Sequence, residues 1–268
     1  MEIKILLLNV FLPLILLYPQ NKSTIVDNNY WETYFEKAGV KGTFVLSKLD
    51  SDTMMIYNRE RSKNTFLPAS TFKILNSLIS LETKVIENED EIIKWDGKKR
   101  FYDKWNQDHN LKSAIKYSCV WFYQELARRV GEEKMQFYLD TTKYGNSKIG
   151  TDIDKFWLEG ELRISAIEQI EFLKNFIKKE LPFSENNHEI VKNILLVEET
   201  KDYKFYAKTG WAARIKPAVG WYVGFVERES DIWVFAMNIE INEDEQAKYR
   251  QEITRQILES EKLLKEHE

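Results

Sequence analysis

Cysteine is almost absent from this chain of 268 residues, and the single thiol, Cys119, excludes an intramolecular disulfide. A lone cysteine is read as a small buried hydrophobe before it is read as a nucleophile. Histidine is scarce as well: His109, His188 and His267 are scattered, without the clustering of a zinc site, so no metal is implied. Charge of one sign is also missing. A net charge of −4, with acids and bases interspersed, provides no basic stripe for a phosphate backbone, and nucleic acid is not an expected partner. No internal repeat or low-complexity stretch interrupts the chain. Its 43% hydrophobic composition suits one substantial globular unit, or two intimately packed lobes.

Only one long apolar run occurs, from Ile5 to Tyr18, broken by Asn9 and Pro13. It is shorter than the ~20 residues that span a bilayer, follows Lys4 and precedes the polar Gln20-Asn21-Lys22-Ser23. Residues 1–22 therefore read as a signal peptide, which makes the protein exported, periplasmic or secreted, with one domain over 23–268 and no stable membrane partner. Glu2 and the lack of an Ala-x-Ala-like site leave the cleavage position open, and a retained N-terminal anchor is the alternative.

The most informative feature that is present is Ser70-Thr71-Phe72-Lys73, with Pro68-Ala69 ahead of it and Lys208-Thr209-Gly210 far downstream. A serine hydroxyl needs a neighbouring base for acyl chemistry, and a spacing of three along a helix places both side chains on one face. Ser113-Ala114-Ile115-Lys116 matches the same pattern. Only Ser70, however, follows an extended proline-containing segment and leads into the apolar helical run Leu75, Leu78, Ile79 and Leu81. It is thus expected in the first turn of a buried helix, where unpaired N–H groups can serve an oxyanion.

Gly42–Leu46 and Met54–Tyr57 flank Asp50-Ser51-Asp52 and predict a hairpin. A helical middle comes next, including a segment from about Ser118 to Gly131 and a helix opened by the capping box Ser165-x-x-Glu168. Strands are expected at Lys204–Thr209, Gly220–Val226 and Ile232–Met237. The last two are apolar at nearly every position, which predicts a sheet covered on both faces. A final helix from about Glu243 to Leu264 carries the stripe Ile253, Ile257, Leu264. Early and late strands are expected in one antiparallel sheet, with the helical middle as a second lobe and a cleft between them. Arg250 falls beside the last helix's buried stripe, so it requires either a packing ion pair or an anionic ligand.

Ser70/Lys73, Ser118-Cys119-Val120, Tyr144-Gly145-Asn146, Phe156-Trp157-Leu158-Glu159-Gly160 and Lys208-Thr209-Gly210, in this order, resemble the class D (OXA-type) serine β-lactamases over about Trp31 to Ile257. Phe66-Leu67-Pro68-Ala69, Lys94-Trp95-Asp96-Gly97, Asp108-His109-Asn110 and the stretch from Thr209 to Pro217 are similar to the carbapenem-hydrolysing, OXA-forty-eight-like subgroup, although Lys216 stands where that subgroup is acidic. The resemblance implies an α+β fold of the serine β-lactamase/penicillin-binding-protein type, an antiparallel sheet flanked by helices plus a helical lobe. It also implies hydrolysis of penicillins and related antibiotics, conferring resistance, with carbapenem hydrolysis as a further expectation. Monomer and homodimer both remain open.

In the family's terms Ser70 attacks the lactam carbonyl, with its own N–H and that of Trp211 as the oxyanion hole. Lys73, among the implied apolar neighbours Phe72, Val120, Trp157 and Leu158, is N-carboxylated by carbon dioxide; no separate cofactor is implied. That carbamate acts as general base in both half-reactions and is held by the Trp157 indole N–H. Ser118 relays a proton to the leaving nitrogen with Lys208 assisting, though a serine ahead of a helix is also a common N-cap. Thr209 and Arg250 hold the substrate carboxylate, and Gly210, Trp211, Val120 and Leu158 line the site. Trp105 lines the entrance, or is a packing tryptophan; Arg214, between late strands, tunes carbapenem access; the Tyr144-Gly145-Asn146 motif shapes the cleft wall. Two other readings share the motif set: a β-lactam-sensing receptor domain that is acylated without turnover, and a penicillin-binding peptidase, against which chain length and Val120 both argue.

Overall fold

A computed structural model describes residues 24–265, so the signal-peptide segment 1–22 and His267 lie outside the described residues. Along the chain come β1 (Thr24–Asp27), α1 (Glu32–Ala38), β2 (Gly42–Lys48), β3 (Thr53–Tyr57), α2 (Arg59–Lys63) and α3 (Lys73–Glu82). The helical middle continues with α4 (Leu111–Lys116), α5 (Val120–Val130), α6 (Glu132–Thr142), α7 (Ala166–Ile177) and α8 (Glu185–Ile194). After it come β4 (Leu196–Glu199), β5 (Tyr203–Ala212), β6 (Ala218–Arg228), β7 (Asp231–Ile241) and α9 (Tyr249–Ser260).

The seven strands form one sheet in the order β1-β3-β2-β7-β6-β5-β4. The expected hairpin is β2–β3, and β2 joins the late strands through β7. The sheet is mixed and not purely antiparallel, because β1 runs parallel to β3. Neither β1 nor β4 announces itself in the sequence. Both are short edge strands with largely exposed side chains, held by backbone pairing more than by burial.

Both faces of the sheet are covered, which explains the unbroken apolar character of β6 and β7. Val223, Phe225, Val234 and Ala236 join a core with the helical lobe. Tyr222, Val226, Phe235 and Met237 face the other way, into a core with Phe35 of α1 and with Ile253 and Ile257 of α9. α9 is shorter than the stripe suggests: a 3-10 turn over Asp244–Lys248 precedes it, and Lys262, with φ 62°, ends it. The Leu263 N–H then bonds back to the Leu258 carbonyl, so Leu264 is buried by a reversal and not by helix.

The capping box at Ser165 forms in full: its side chain accepts from the Glu168 N–H while Glu168 accepts from the Ser165 N–H. Tyr144 lies fully inside the core with its ring edge-on to Phe72, so it supports the Ser70 turn from beneath and does not form a cleft wall. Next to it, Gly145 adopts φ 55° and sits so close to the next segment that a Cβ would lie 2.0 Å from the Arg163 carbonyl oxygen. The Asn146 side chain ties that segment down, donating to the Glu161 carbonyl and accepting from the Arg163 N–H.

Gly145→Ala meets both a left-handed backbone and a backbone collision, and should cost about 2–4 kcal/mol. Urea unfolding should show a lower midpoint at unchanged slope; an unmoved midpoint would mean that this junction yields freely.

Candidate active site

The chain enters the site through Pro68, and the following Ala69 has φ 48°, a conformation unusual for a residue with a Cβ. Such a strain costs about 1–3 kcal/mol and persists only where the surroundings over-determine it. They do so here. The Ala69 N–H donates to the Trp157 carbonyl, the Trp221 indole to the Leu67 carbonyl, and the Thr71 hydroxyl to the Pro68 carbonyl. A 3-10 turn over Ala69–Phe72 then delivers Ser70, half-buried, directly into α3. β5 presses against this turn at Gly210, where a Cβ would lie 2.8 Å from the Pro68 carbonyl oxygen. The absence of a side chain there lets the strand carrying Trp211 approach Ser70.

Lys73 is fully buried, and its Nζ lies 2.7 Å from the Ser70 Oγ. No carboxylate pairs with it among the described residues; burial pushes its ammonium down to about 7, only partly offset by the Cys119 thiol. The ring of Tyr123 lies beneath the amine, 5.3 Å from the Nζ to the centroid. The rival serine–lysine pair is accounted for otherwise: Ser113 completes the capping box of α4 with Asn110 and bonds to His109.

Lys208 is a second buried amine, held well below its ordinary value by desolvation first and then by the charges of Lys73 and Arg250. It reaches the Thr209 carbonyl at 3.1 Å and the Thr209 hydroxyl at 3.4 Å. Arg250 lies along β6, its Cδ 3.4 Å from where a Cβ of Gly220 would stand, with its guanidinium 5.8 Å from the Trp211 ring centroid. Its Nε and Nη1 are buried without a hydrogen-bond partner. The packing ion pair allowed by the sequence is not formed among the described residues, which leaves a desolvated cation facing β5. Burial lowers its pKa to about 10.

Trp157 and Leu158 are buried in the same cluster as Phe72, and Val120 packs against it as the first residue of α5. The Trp157 ring sits 5.4 Å from that of Phe72, and its indole N–H is buried with no partner. A desolvated amine and an indole donor without a partner among the described residues thus lie within one apolar cluster. Ser118 is not an N-cap: Cys119 holds that position of α5, and Ser118 precedes it with φ 52°. Trp105 is half-buried, donating its indole N–H to the Tyr117 carbonyl and accepting from Trp121, so it is packed into the flank that carries Ser118. Arg214 is exposed and pairs with Glu159 at 3.1 Å, joining the β5–β6 connection to the Trp157 segment.

Ala69 and Glu159 stand within motifs quoted from the sequence but carry no role there, and Tyr123 is not singled out. Tyr123 has a signal, since it stands one turn beyond Val120 on α5 and shares its face. Positive φ at an alanine and a cross-loop ion pair have none.

The family model described as the penicillin-binding-protein transpeptidase domain matches residues 25–259. The chain is 43% identical over 238 residues to β-lactamase OXA-48 of Klebsiella pneumoniae, covering 89% of this chain and 90% of that one. It is also 43% identical over 199 residues to the probable β-lactamase YbxI of Bacillus subtilis, 74% of each. Among solved structures, FUS-1 (OXA-85), a class D β-lactamase from Fusobacterium nucleatum subsp. polymorphum, superposes with a TM-score of 0.87 at 42% identity, covering 90% of this chain and all of that one.

Burial of Lys73 links stability to pH. As pH falls from about 10.5 to about 7 the unfolded chain binds a proton that the folded chain refuses, so stability is lost across that window and then levels off. The whole change is about 5 kcal/mol. In carbon dioxide-free buffer, denaturant midpoints of the wild type should rise relative to Lys73→Met between pH 7 and 10; parallel profiles would show that the amine is not desolvated.

Proposed function

The chain belongs to the class D serine β-lactamases, and from that membership we propose that its hydrolysis of β-lactams, the activity that confers antibiotic resistance, runs through an acyl-enzyme on Ser70. The observation that carries this is the 2.7 Å approach of the buried Lys73 amine to the Ser70 hydroxyl. In its carboxylated form Lys73 supplies the general base beside that hydroxyl for acylation and again for deacylation. The buried, unpartnered Trp157 N–H is the donor that would hold it.

The remaining parts are governed by charge. Attack on the strained carbonyl places negative charge on its oxygen, and the backbone N–H groups of Ser70 and Trp211 receive it where Gly210 brings β5 against the nucleophile turn. The substrate carboxylate binds Arg250 and Thr209: a buried guanidinium with two unsatisfied N–H groups gains a charge-assisted bond that it lacks in the free protein. Opening the ring requires a proton on the departing nitrogen. Ser118 delivers it, with Lys208 as the neighbouring amine.

The spectrum extends to carbapenems in this proposal, supported by the likeness of the Thr209–Pro217 stretch to that subgroup and by the Arg214–Glu159 tie at the cleft lip. Export to the periplasm is part of the same proposal, on the character of residues 1–22.

Lys73→Ala should fold, acylate far more slowly and fail to deacylate, with steady-state turnover down about 100- to 10,000-fold. Stopped-flow acylation followed by mass spectrometry over minutes checks this. Unchanged turnover would remove Lys73 from the mechanism, and persistent acyl-protein in the wild type would assign the chain to sensing.

Arg250→Ala should raise KM about 10- to 100-fold, corresponding to loss of one charge-assisted bond, and leave kcat within a few-fold. A variant with normal KM and lowered thermal stability would return Arg250 to a packing role.

A further inference from the structure

The connection between α3 and α4 carries Lys98-Lys99-Arg100-Phe101-Tyr102-Asp103-Lys104, and the Phe101 ring is 92% exposed, with Tyr102 exposed beside it. A loosely held loop can leave a ring in water by default, but this loop is fixed. Arg100 grips both carboxylate oxygens of Asp96 at 2.8 Å. Its backbone is held by the Asn106 side chain, which accepts from the Arg100 N–H at 2.7 Å and donates to the Arg100 carbonyl at 3.0 Å. The Trp95 indole N–H donates to the Lys98 carbonyl. Both exposed rings rest edge-on against Trp105, with centroids 5.4 Å away for Phe101 and 6.0 Å for Tyr102. Trp105 is anchored in turn by the Tyr117 carbonyl. A rigid base thus holds an apolar tip in solvent, which marks a contact surface.

Charge around the tip is one-sided. Lys98, Lys99, Lys104 and Lys116 are exposed and have no carboxylate partner among the described residues. The ammonium groups of Lys104 and Lys116 lie 6.0 and 5.8 Å from the Tyr117 ring centroid, which brings the end of α4 to the same flank. The neighbouring acids are taken: Asp96 by Arg100, Asp108 by Lys94, and Asp90 and Glu89 by Lys112. Beside the loop, Glu125 is taken by Arg128 and Arg129, and Glu91 accepts from the Glu87 N–H. Asp103 is the acid of the loop left to oppose these lysines. The local excess of positive charge runs against a net charge of −4 for the chain.

We propose that this loop is a docking site for an anionic phospholipid surface, with Phe101 and Tyr102 entering the headgroup layer and Lys98, Lys99, Lys104 and Lys116 lying over lipid phosphates. Charge complementarity chooses the sign of the partner, and the phenyl ring chooses its kind. A soluble polyanion satisfies the lysines and leaves Phe101 in water, since that ring has no polar group to offer it. The boundary of a bilayer takes both: ring into the acyl edge, ammonium groups at the headgroups, with the lysine stems along the interface. Lysines near such a surface contribute about fivefold each in affinity, so this is a reversible contact and not a stable membrane partner.

The test sediments the chain lacking residues 1–22, which keeps every residue of both cores, with vesicles of phosphatidylcholine alone and of phosphatidylcholine containing ~30% phosphatidylglycerol. Partition into the anionic vesicles should exceed that into the neutral ones about tenfold or more at low salt, and should fall as salt rises. Phe101→Ser and, separately, the double variant Lys98→Glu/Lys99→Glu should each lower it about tenfold, with thermal midpoints within about 2 °C of the wild type. Lys63→Glu/Lys134→Glu, an equal change of net charge at exposed positions elsewhere, should lower it less than about twofold. Equal partition into both kinds of vesicle would overturn the proposal, as would the same loss in the Lys63/Lys134 variant, which would make net charge the cause. Full binding by Phe101→Ser would show a surface for polyanions in general and exclude insertion of the tip. If Phe101→Ser instead converts a dimer to a monomer in sedimentation and the wild type ignores vesicles, a second copy covers the ring and the lipid site is excluded.

Discussion

A fully buried amine with no carboxylate partner among the described residues is the condition on which this site depends. Lys73 is buried in an apolar cluster, against the face of Tyr123 and one hydrogen bond from Ser70. A lysine in water would be an ammonium with nothing to offer a serine proton. Desolvation removes that obstacle, and it requires walls on every side: α3 and α5, the Trp157 segment, and the sheet. The two-sided sheet therefore matters to the chemistry as well as to stability. One face helps keep the lysine dry, and the other, packed on α1 and α9, fixes the helix that presents Arg250.

The nucleophile is positioned by several distant segments acting together. Trp157 and Ile164 bond to residues 66–69, Trp221 bonds to Leu67, and Gly210 packs on Pro68. These contacts hold Ala69 in a backbone conformation it would not adopt alone. Two buried amines stand in the site with pKa values held below the ordinary lysine range, and with them a guanidinium without a carboxylate partner among the described residues. Each of these groups is destabilising as folded structure and serviceable as chemistry, a pattern expected where function opposes local optimisation.

Much of this is legible in the amino-acid order, for physical reasons that differ by element. β6 and β7 are visible as unbroken apolar runs because burial on both faces removes alternation. The start of α7 is marked by a capping box whose two reciprocal bonds both form. Ser70 and Ser113 share a motif and differ in the residues C-terminal to each, a long apolar helical run after the first and a short capped helix after the second. β1 and β4 escape because edge strands held by backbone pairing leave no side-chain pattern. The end of α9 is overrun because a buried leucine after a chain reversal keeps the helical stripe's spacing. Arg250 is ambiguous without the structure, which shows no acidic partner at its Nε and Nη1, a negative fact that no single sequence contains.

The connection between β5 and β6 has a different standing from everything else around the cleft. Ala213, Arg214, Lys216 and Pro217 are exposed, and their tie to the opposite lip is the ion pair of Arg214 with Glu159 between two solvated side chains. Such a pair contributes at most about 1 kcal/mol and weakens with salt. Substitutions, insertions or deletions here can reshape the cleft mouth without disturbing the strained turn or the buried amines. Evolutionary drift in antibiotic preference thus has an inexpensive route through this loop, while the catalytic interior stays fixed.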